Sequence, residues 1–118
     1  MYNELLFFMK DTDGYVYLIC DPGNTTFKIG VTRDLKSQRI KKLQTGNSTE
    51  LFISSIYKTK YPFRMETMLH ARFASKNELN EWFNLTAHEV GQFTNICKET
   101  EDIIECMLDN PFFNKNIK

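Results

Sequence analysis

Gly14-Tyr15-Val16-Tyr17-Leu18-Ile19 and Phe27-Lys28-Ile29-Gly30-Val31-Thr32 stand on either side of Asp21-Pro22-Gly23-Asn24. β-Branched and aromatic residues recur through both runs, and the Pro, Gly and Asn between them supply turn chemistry, so the stretch reads as a β-hairpin. Pairing Cys20 with Phe27 across the turn puts Tyr17 opposite Gly30 and diagonal to Lys28. A phenol, an amine and a missing side chain then share one face. Glycine weakens a strand interior, so Gly30 marks a bulge or the close approach of another backbone, such as a nucleic-acid strand.

Further elements extend from this hairpin. Residues 34–45 read as a helix entered near Thr32 or Asp34 and closed by Gly46, and residues 51–58 as a third strand. Pro62 suits a first helical position, so a second helix runs from there to about Ser75. A loop and a short extended segment around Glu81-Trp82-Phe83 follow, with both aromatics expected in the core. A long last helix opens on the Thr86-Ala87-His88-Glu89 capping box, with Val90, Phe93, Ile96, Cys97, Ile103, Ile104 and Met107 as its apolar stripe. These elements predict an α+β single domain, a small antiparallel sheet with helices packed on it.

At 118 residues and 42% hydrophobic content the chain supports one core and not two. Cys20, Cys97 and Cys106 are an odd number without metal-ligand spacing, which reads as buried thiols in a reducing compartment. The apolar run Leu5 to Met9 is too short to cross a bilayer and lacks the flanks of a signal peptide, so an intracellular protein, cytoplasmic or nuclear, is expected and no membrane partner. Net charge is zero, yet it is unevenly spread. From Lys28 to Arg64 nine Lys and Arg face Asp34 and Glu50, a net +7, and from Met65 to Asn110 three basic residues face nine acidic ones, a net −6. A lysine-rich segment suits phosphate contacts, and two solvated faces of opposite sign are the bland alternative. The candidates for nucleic-acid contact are Gly30, Arg33, Lys36, Lys41, Lys42, Lys58, Lys60 and Arg64. Tyr57, Tyr61 and Phe63, interleaved with the last three, could stack on bases or belong to a solvated loop.

Helical phase separates two charges from the rest. Arg39 falls between Leu35 and Leu43 within the apolar stripe of the first helix, and Glu66 projects near Phe63 and Phe73 at the edge of the stripe of the second. A carboxylate against apolar surface needs a cation, either an arginine or a metal. His70, four residues on, shares the side of Glu66.

Tyr15-Val16-Tyr17, Lys28-Ile29-Gly30, Arg39, Leu43-Gln44-Thr45-Gly46, Glu66 with His70, and Glu81-Trp82-Phe83 occur in that order. In this series the chain resembles the GIY-YIG nuclease superfamily, in particular its small branch from phages, large DNA viruses and fungi. The resemblance covers about residues 14–95, leaving 1–13 as an N-terminal extension and 96–118 as a C-terminal helix and tail on the same domain. It implies a three-stranded antiparallel sheet flanked by helices and a metal-dependent endonuclease acting on DNA. By resemblance Tyr17 is the general base, Lys28 stabilises its phenolate, Arg39 clamps the phosphate, and Glu66 holds one Mg²⁺ or Mn²⁺. His70 assists as a proton carrier or as support for the metal site. Lys28 stands where the superfamily usually has tyrosine, Leu43 where many members have histidine or tyrosine, and Asn80 or Asn84 where members carry an asparagine. The alternative is a binding module of the same fold that grips nucleic acid or a protein without cutting. A recruiting protein or a second copy of the chain would be a further partner.

Overall fold

The computed structural model describes residues 13–23, 25–34 and 51–109. The helix expected over 34–45, and with it Arg39, Lys36, Lys41 and Lys42, lies outside the described residues except for Asp34. The N-terminal extension is described only at Asp13.

β1 (Gly14–Asp21) and β2 (Thr26–Thr32) pair antiparallel in the expected register, Cys20 with Phe27 and Tyr17 with Gly30. The turn between them is closed on one side by the Gly23 N–H, which donates to Asp21 Oδ1 at 3.2 Å. β3 (Phe52–Thr59) lies on the far side of β1, and Ser54 is left unmatched where the pairing steps from Leu18–Ser55 to Ile19–Ile53. Such a bulge bends an edge strand away from further pairing. The sheet has five strands in the order β3-β1-β2-β5-β4, two more than the resemblance implied. β5 (Trp82–Phe83) is the extended segment expected around Glu81-Trp82-Phe83, whereas β4 (Asn77–Leu79) falls in the stretch read as a loop. All of β4 is exposed, so it shows no buried face to betray it.

Three α-helices complete the described chain: α1 (Pro62–Arg72), α2 (Ala87–Gly91) and α3 (Phe93–Asp109). α1 starts at Pro62 as expected but ends at Arg72, before a 3₁₀ turn over Ala74–Lys76. The Thr86 hydroxyl accepts from the Glu89 N–H, and the Glu89 carboxylate accepts from the Thr86 N–H at 2.8 Å, the reciprocal capping box the sequence predicts. The last helix is nonetheless in two pieces. Gln92, at φ −95° and ψ 3°, leaves helical geometry just after Gly91, and the phase of α3 is set from there. Its buried line is Phe93, Ile96, Cys97, Thr100 and Ile104, while Ile103 and Met107, expected in the stripe, are 49% and 41% exposed. Thr100 can occupy an apolar line because its hydroxyl donates to the Ile96 carbonyl at 2.7 Å.

The two faces of the sheet differ. Val16, Leu18, Ile29 and Val31 pack against Met65 and Leu69 of α1 and Phe93, Ile96 and Cys97 of α3, and Phe83 joins them. Full burial of each such side chain contributes roughly 1.5–3 kcal/mol, which makes this layer the main core. Tyr17, Ile19 and Leu51, with Ile53 and Trp82, form a smaller cluster that follows the alternate residues and so lies on the opposite face. Of the cysteines only Cys97 is buried, where desolvation pushes its thiol up to about 12. Cys20 is half-buried and Cys106 exposed, contrary to the expectation of three buried thiols. Among the described residues no helix is long and apolar enough to cross a membrane.

A Cβ added to Gly30 would stand 2.5 Å from the Tyr17 phenol oxygen and 2.6 Å from the ring carbon that bears it. The ring of Tyr17 therefore fills the space that Gly30 leaves. Gly30→Ala should destabilise the fold by about 1–3 kcal/mol, because a fully buried ring has nowhere to move. Gly91→Ala, with nothing within 4 Å of the new Cβ and no positive φ to lose, should stabilise by about 0.5–1 kcal/mol. Urea midpoints of the two variants shifting in the same direction would contradict this reading of the two glycines.

Candidate functional site

Register alone lays out the Tyr17 face as rows across the strands. Lys58, Tyr15 and Thr32 form one row, Ile56, Tyr17 and Gly30 the next, and Ile53, Ile19, Lys28 and Trp82 the third. Tyr17 and Lys28 thus sit in adjacent rows of neighbouring strands, a diagonal that a long side chain spans. Tyr17 is fully buried and Lys28 only 6% exposed. The gap at Gly30 is occupied by Tyr17 itself, which accounts for the glycine without a nucleic-acid strand.

A buried ammonium requires a counter-charge, and Lys28 has one in the Glu81 carboxylate, with which it forms an ion pair. By sequence Glu81 is only the first residue of the Glu81-Trp82-Phe83 motif and carries no site role. The signal that could have found it is the lysine itself, since a lysine between apolar strand residues needs an acid. The loop that delivers Glu81 is a two-residue turn, Asn80-Glu81, between β4 and β5. Asn80 has φ 55°, a left-handed conformation that asparagine tolerates better than most residues. The Asn77 amide donates to the carbonyls of Asn80 at 2.7 Å and Trp82 at 3.1 Å, and the Ile29 N–H donates to the Glu81 carbonyl at 3.2 Å. Asn80 is therefore a turn residue, while the Asn84 amide donates to the Glu78 carboxylate.

α1 brings the second group of candidates to the outer side of β2. Its first residue, Pro62, rests on Gly14, 3.1 Å from where a Cβ would stand and beside the Thr32 carbonyl, and the Arg33 guanidinium lies 5.6 Å from the centre of the Phe63 ring. At its other end the His70 Nε2–H donates to the Ile29 carbonyl at 2.9 Å, and the imidazole meets Phe83 edge-on at 5.0 Å. A carbonyl only accepts, so Nε2 carries the proton, and in a neutral ring Nδ1 is the acceptor. α1 therefore runs antiparallel to β2, from Thr32 back to Ile29. Glu66, one turn before His70 and half-buried, is offset from it by roughly 6 Å along the helix, or about two strand residues. That puts Glu66 level with Val31, next to the row that holds Tyr17 and Gly30. His70 reaches β2 from the helix side, and Tyr17 and Lys28 lie on the opposite face.

The basic residues are less united than their sequence suggests. Arg33, Lys58 and Lys60 are exposed, but Arg64 is buried at 8% exposure, which corrects its assignment to a phosphate-contacting surface. Lys58 and Lys60 line a cleft of about 340 Å³ with Asp13, Thr59, Glu101 and Glu105. Tyr57 and Tyr61 are tied down there too. The Tyr57 hydroxyl donates to Glu101 at 2.9 Å, the Thr59 hydroxyl to the other oxygen of Glu101 at 2.7 Å, and the Tyr61 hydroxyl to Glu105 at 3.4 Å. Burial first, and then the adjacent carboxylates, push both phenols above their ordinary range. Tyr57 belongs to β3 and Tyr61 immediately precedes α1, and both are half-buried with their hydroxyls on carboxylates.

Comparison with curated proteins and with solved structures gives no match. A family model described as the T5orf172 domain matches residues 14–99, from the first residue of β1 into α3, and the chain therefore belongs to this nuclease-associated family, a nuclease-like DNA-binding module.

Proposed function

We propose that the chain is a small metal-dependent endonuclease of the GIY-YIG type that hydrolyses phosphodiester bonds in DNA. The observation that carries this is the Tyr17–Gly30 pairing, with Lys28 one row away and the Glu66–His70 turn of α1 alongside the same stretch of β2. Four groups of differing chemistry border three residues of one strand, two from each face, and a shared site requires that Glu66 reach round β2 toward Tyr17.

Tyr17 is the group that accepts the proton of the attacking water. A phenol is a weak base near neutrality, and the Lys28 ammonium favours its ionised form through charge attraction, against the opposing effect of burial. Arg39, from the segment outside the described residues, is the group for the non-bridging phosphate oxygens. Among the described residues no three His, Cys, Asp or Glu side chains gather as a metal cage. A single carboxylate fits Mg²⁺ or Mn²⁺ none the less, because such ions commonly take one or two carboxylates and complete their shell with water and substrate phosphate. Glu66 would hold it, and when bound it supplies positive charge for the departing oxygen. His70, with Nε2–H spent on the Ile29 carbonyl, has Nδ1 to take up or pass a proton.

One observation favours the second reading, a module that binds DNA without cutting. Tyr17 is 0% exposed, so no water reaches its oxygen unless the face opens. Wild-type protein should cut plasmid, linear or branched DNA in Mg²⁺ or Mn²⁺. Tyr17→Phe and Glu66→Gln should each lower the rate by at least about 100-fold while keeping the fold and DNA affinity, since both act on the transition state. Binding without any cleavage would establish the module instead, and loss of folding in Glu66→Gln would make Glu66 a structural ion-pair partner. Affinity should fall steeply with salt, with exposed Lys58 contributing about one unit of the log–log slope. Salt-independent binding would exclude contact through phosphates.

A further inference from the structure

We propose that Glu81 is a positioning residue for this reaction, holding the Lys28 ammonium on the Tyr17 face where it can act on the phenol. The proposal rests on the nuclease reading and adds a residue to it. Lys28 is 6% exposed and Glu81 meets it from a turn 53 positions later. That turn is heavily reinforced. The left-handed Asn80 makes it tight, the Asn77 amide bridges the carbonyls of Asn80 and Trp82, and the Glu81 carbonyl takes the Ile29 N–H while its carboxylate takes Lys28. Glu81 is thus fixed to consecutive residues of β2 by its main chain and its side chain. Its neighbour Trp82 pairs with Lys28 and packs in the Tyr17, Ile19 and Leu51 cluster, so the same hairpin walls the face that Tyr17 occupies.

Stability does not account for this arrangement. Lys28 is buried while the Glu81 side chain is 31% exposed, and replacing such a largely desolvated ion pair by apolar side chains of similar volume is commonly neutral or stabilising, so a methionine opposite a leucine would join β2 to the hairpin as well. An ion pair does one thing that an apolar pair cannot. It keeps a cation beside a poorly solvated cluster, one row of the sheet from a phenol whose ionisation that cation favours. Without Glu81 the amine would turn toward water or lose its proton, and in either case Tyr17 would lose its stabilising charge.

The test is a double-mutant cycle on Lys28 and Glu81, using Lys28→Met, Glu81→Gln and the pair. It measures single-turnover cleavage of DNA at saturating protein in Mg²⁺, DNA affinity without metal, and the proton NMR contact between the Lys28 ε-methylene and the Tyr17 ring. Glu81→Gln should slow cleavage at least about tenfold with affinity nearly unchanged, and adding it to Lys28→Met should cause no further loss. Wild-type cleavage by Glu81→Gln overturns the proposal. So does a full further loss on the Lys28→Met background, because Glu81 would then act independently of the lysine. Should Glu81→Gln alone fail to fold, the double variant carries no unpaired buried charge, and its rate against Lys28→Met decides in the same way. Should no protein cut DNA, the nuclease reading has failed, and the NMR contact decides alone. Its loss in Glu81→Gln supports positioning, and its retention refutes it.

Discussion

The placement of the Tyr17 ring on Gly30 is the contact from which the rest of the molecule takes its arrangement. It locks the register of the central hairpin, because a slip by one residue would bring the ring against Ile29 or Val31 and turn every apolar residue of β1 to the wrong side. With the register set, Val16, Leu18, Ile29 and Val31 must face α1 and α3, and Ile19 and Lys28 must face the other way. The main core and the chemical face thus follow from one cross-strand pair. Alanine in place of Gly30 would press on both.

α1 links those two layers. Met65 and Leu69 anchor it in the main core, and His70, beside Leu69 on the helix, is carried to the Ile29 carbonyl of β2. The core contact determines where the polar contact falls, since both lie on one rigid helix. Hydrophobic burial therefore fixes where this polar turn of the helix stands, and it comes into place with the fold.

Much of this was legible in the residues. The hairpin register follows from turn length and the glycine, the start of α1 from Pro62, and the start of α2 from Thr86 and Glu89, because these signals act over four or five positions. What escaped depends on distance along the chain. Glu81 lies 53 positions from Lys28 and Glu101 lies 44 from Tyr57, and no local pattern announces either pairing. β4 is three exposed residues, too short for periodicity. The stripe of α3 was misjudged at Ile103 and Met107 because the break at Gln92 resets the helical phase and lets Thr100 take an inner position. Charge alone marks Arg64 as a surface cation, whereas on α1, beside Met65, it is buried. Arg39 lies outside the described residues, so its part in the site rests on sequence alone.

The Glu101 carboxylate gathers the hydroxyls of Tyr57 and Thr59, and Thr59 in turn accepts the Tyr61 N–H at 3.1 Å. The family model ends at residue 99, two positions before that carboxylate. The stretch that the family shares and the stretch that holds the end of β3 therefore have different limits. A fragment trimmed to the shared part would lose Glu101, which holds Tyr57 and Thr59 of the edge strand, Glu105, which holds Tyr61 just beyond it, and the buried Thr100 and Ile104 of α3. For this fold an excised or fused domain must run past the end of the recognisable motif, far enough along α3 to include Glu101 and Glu105.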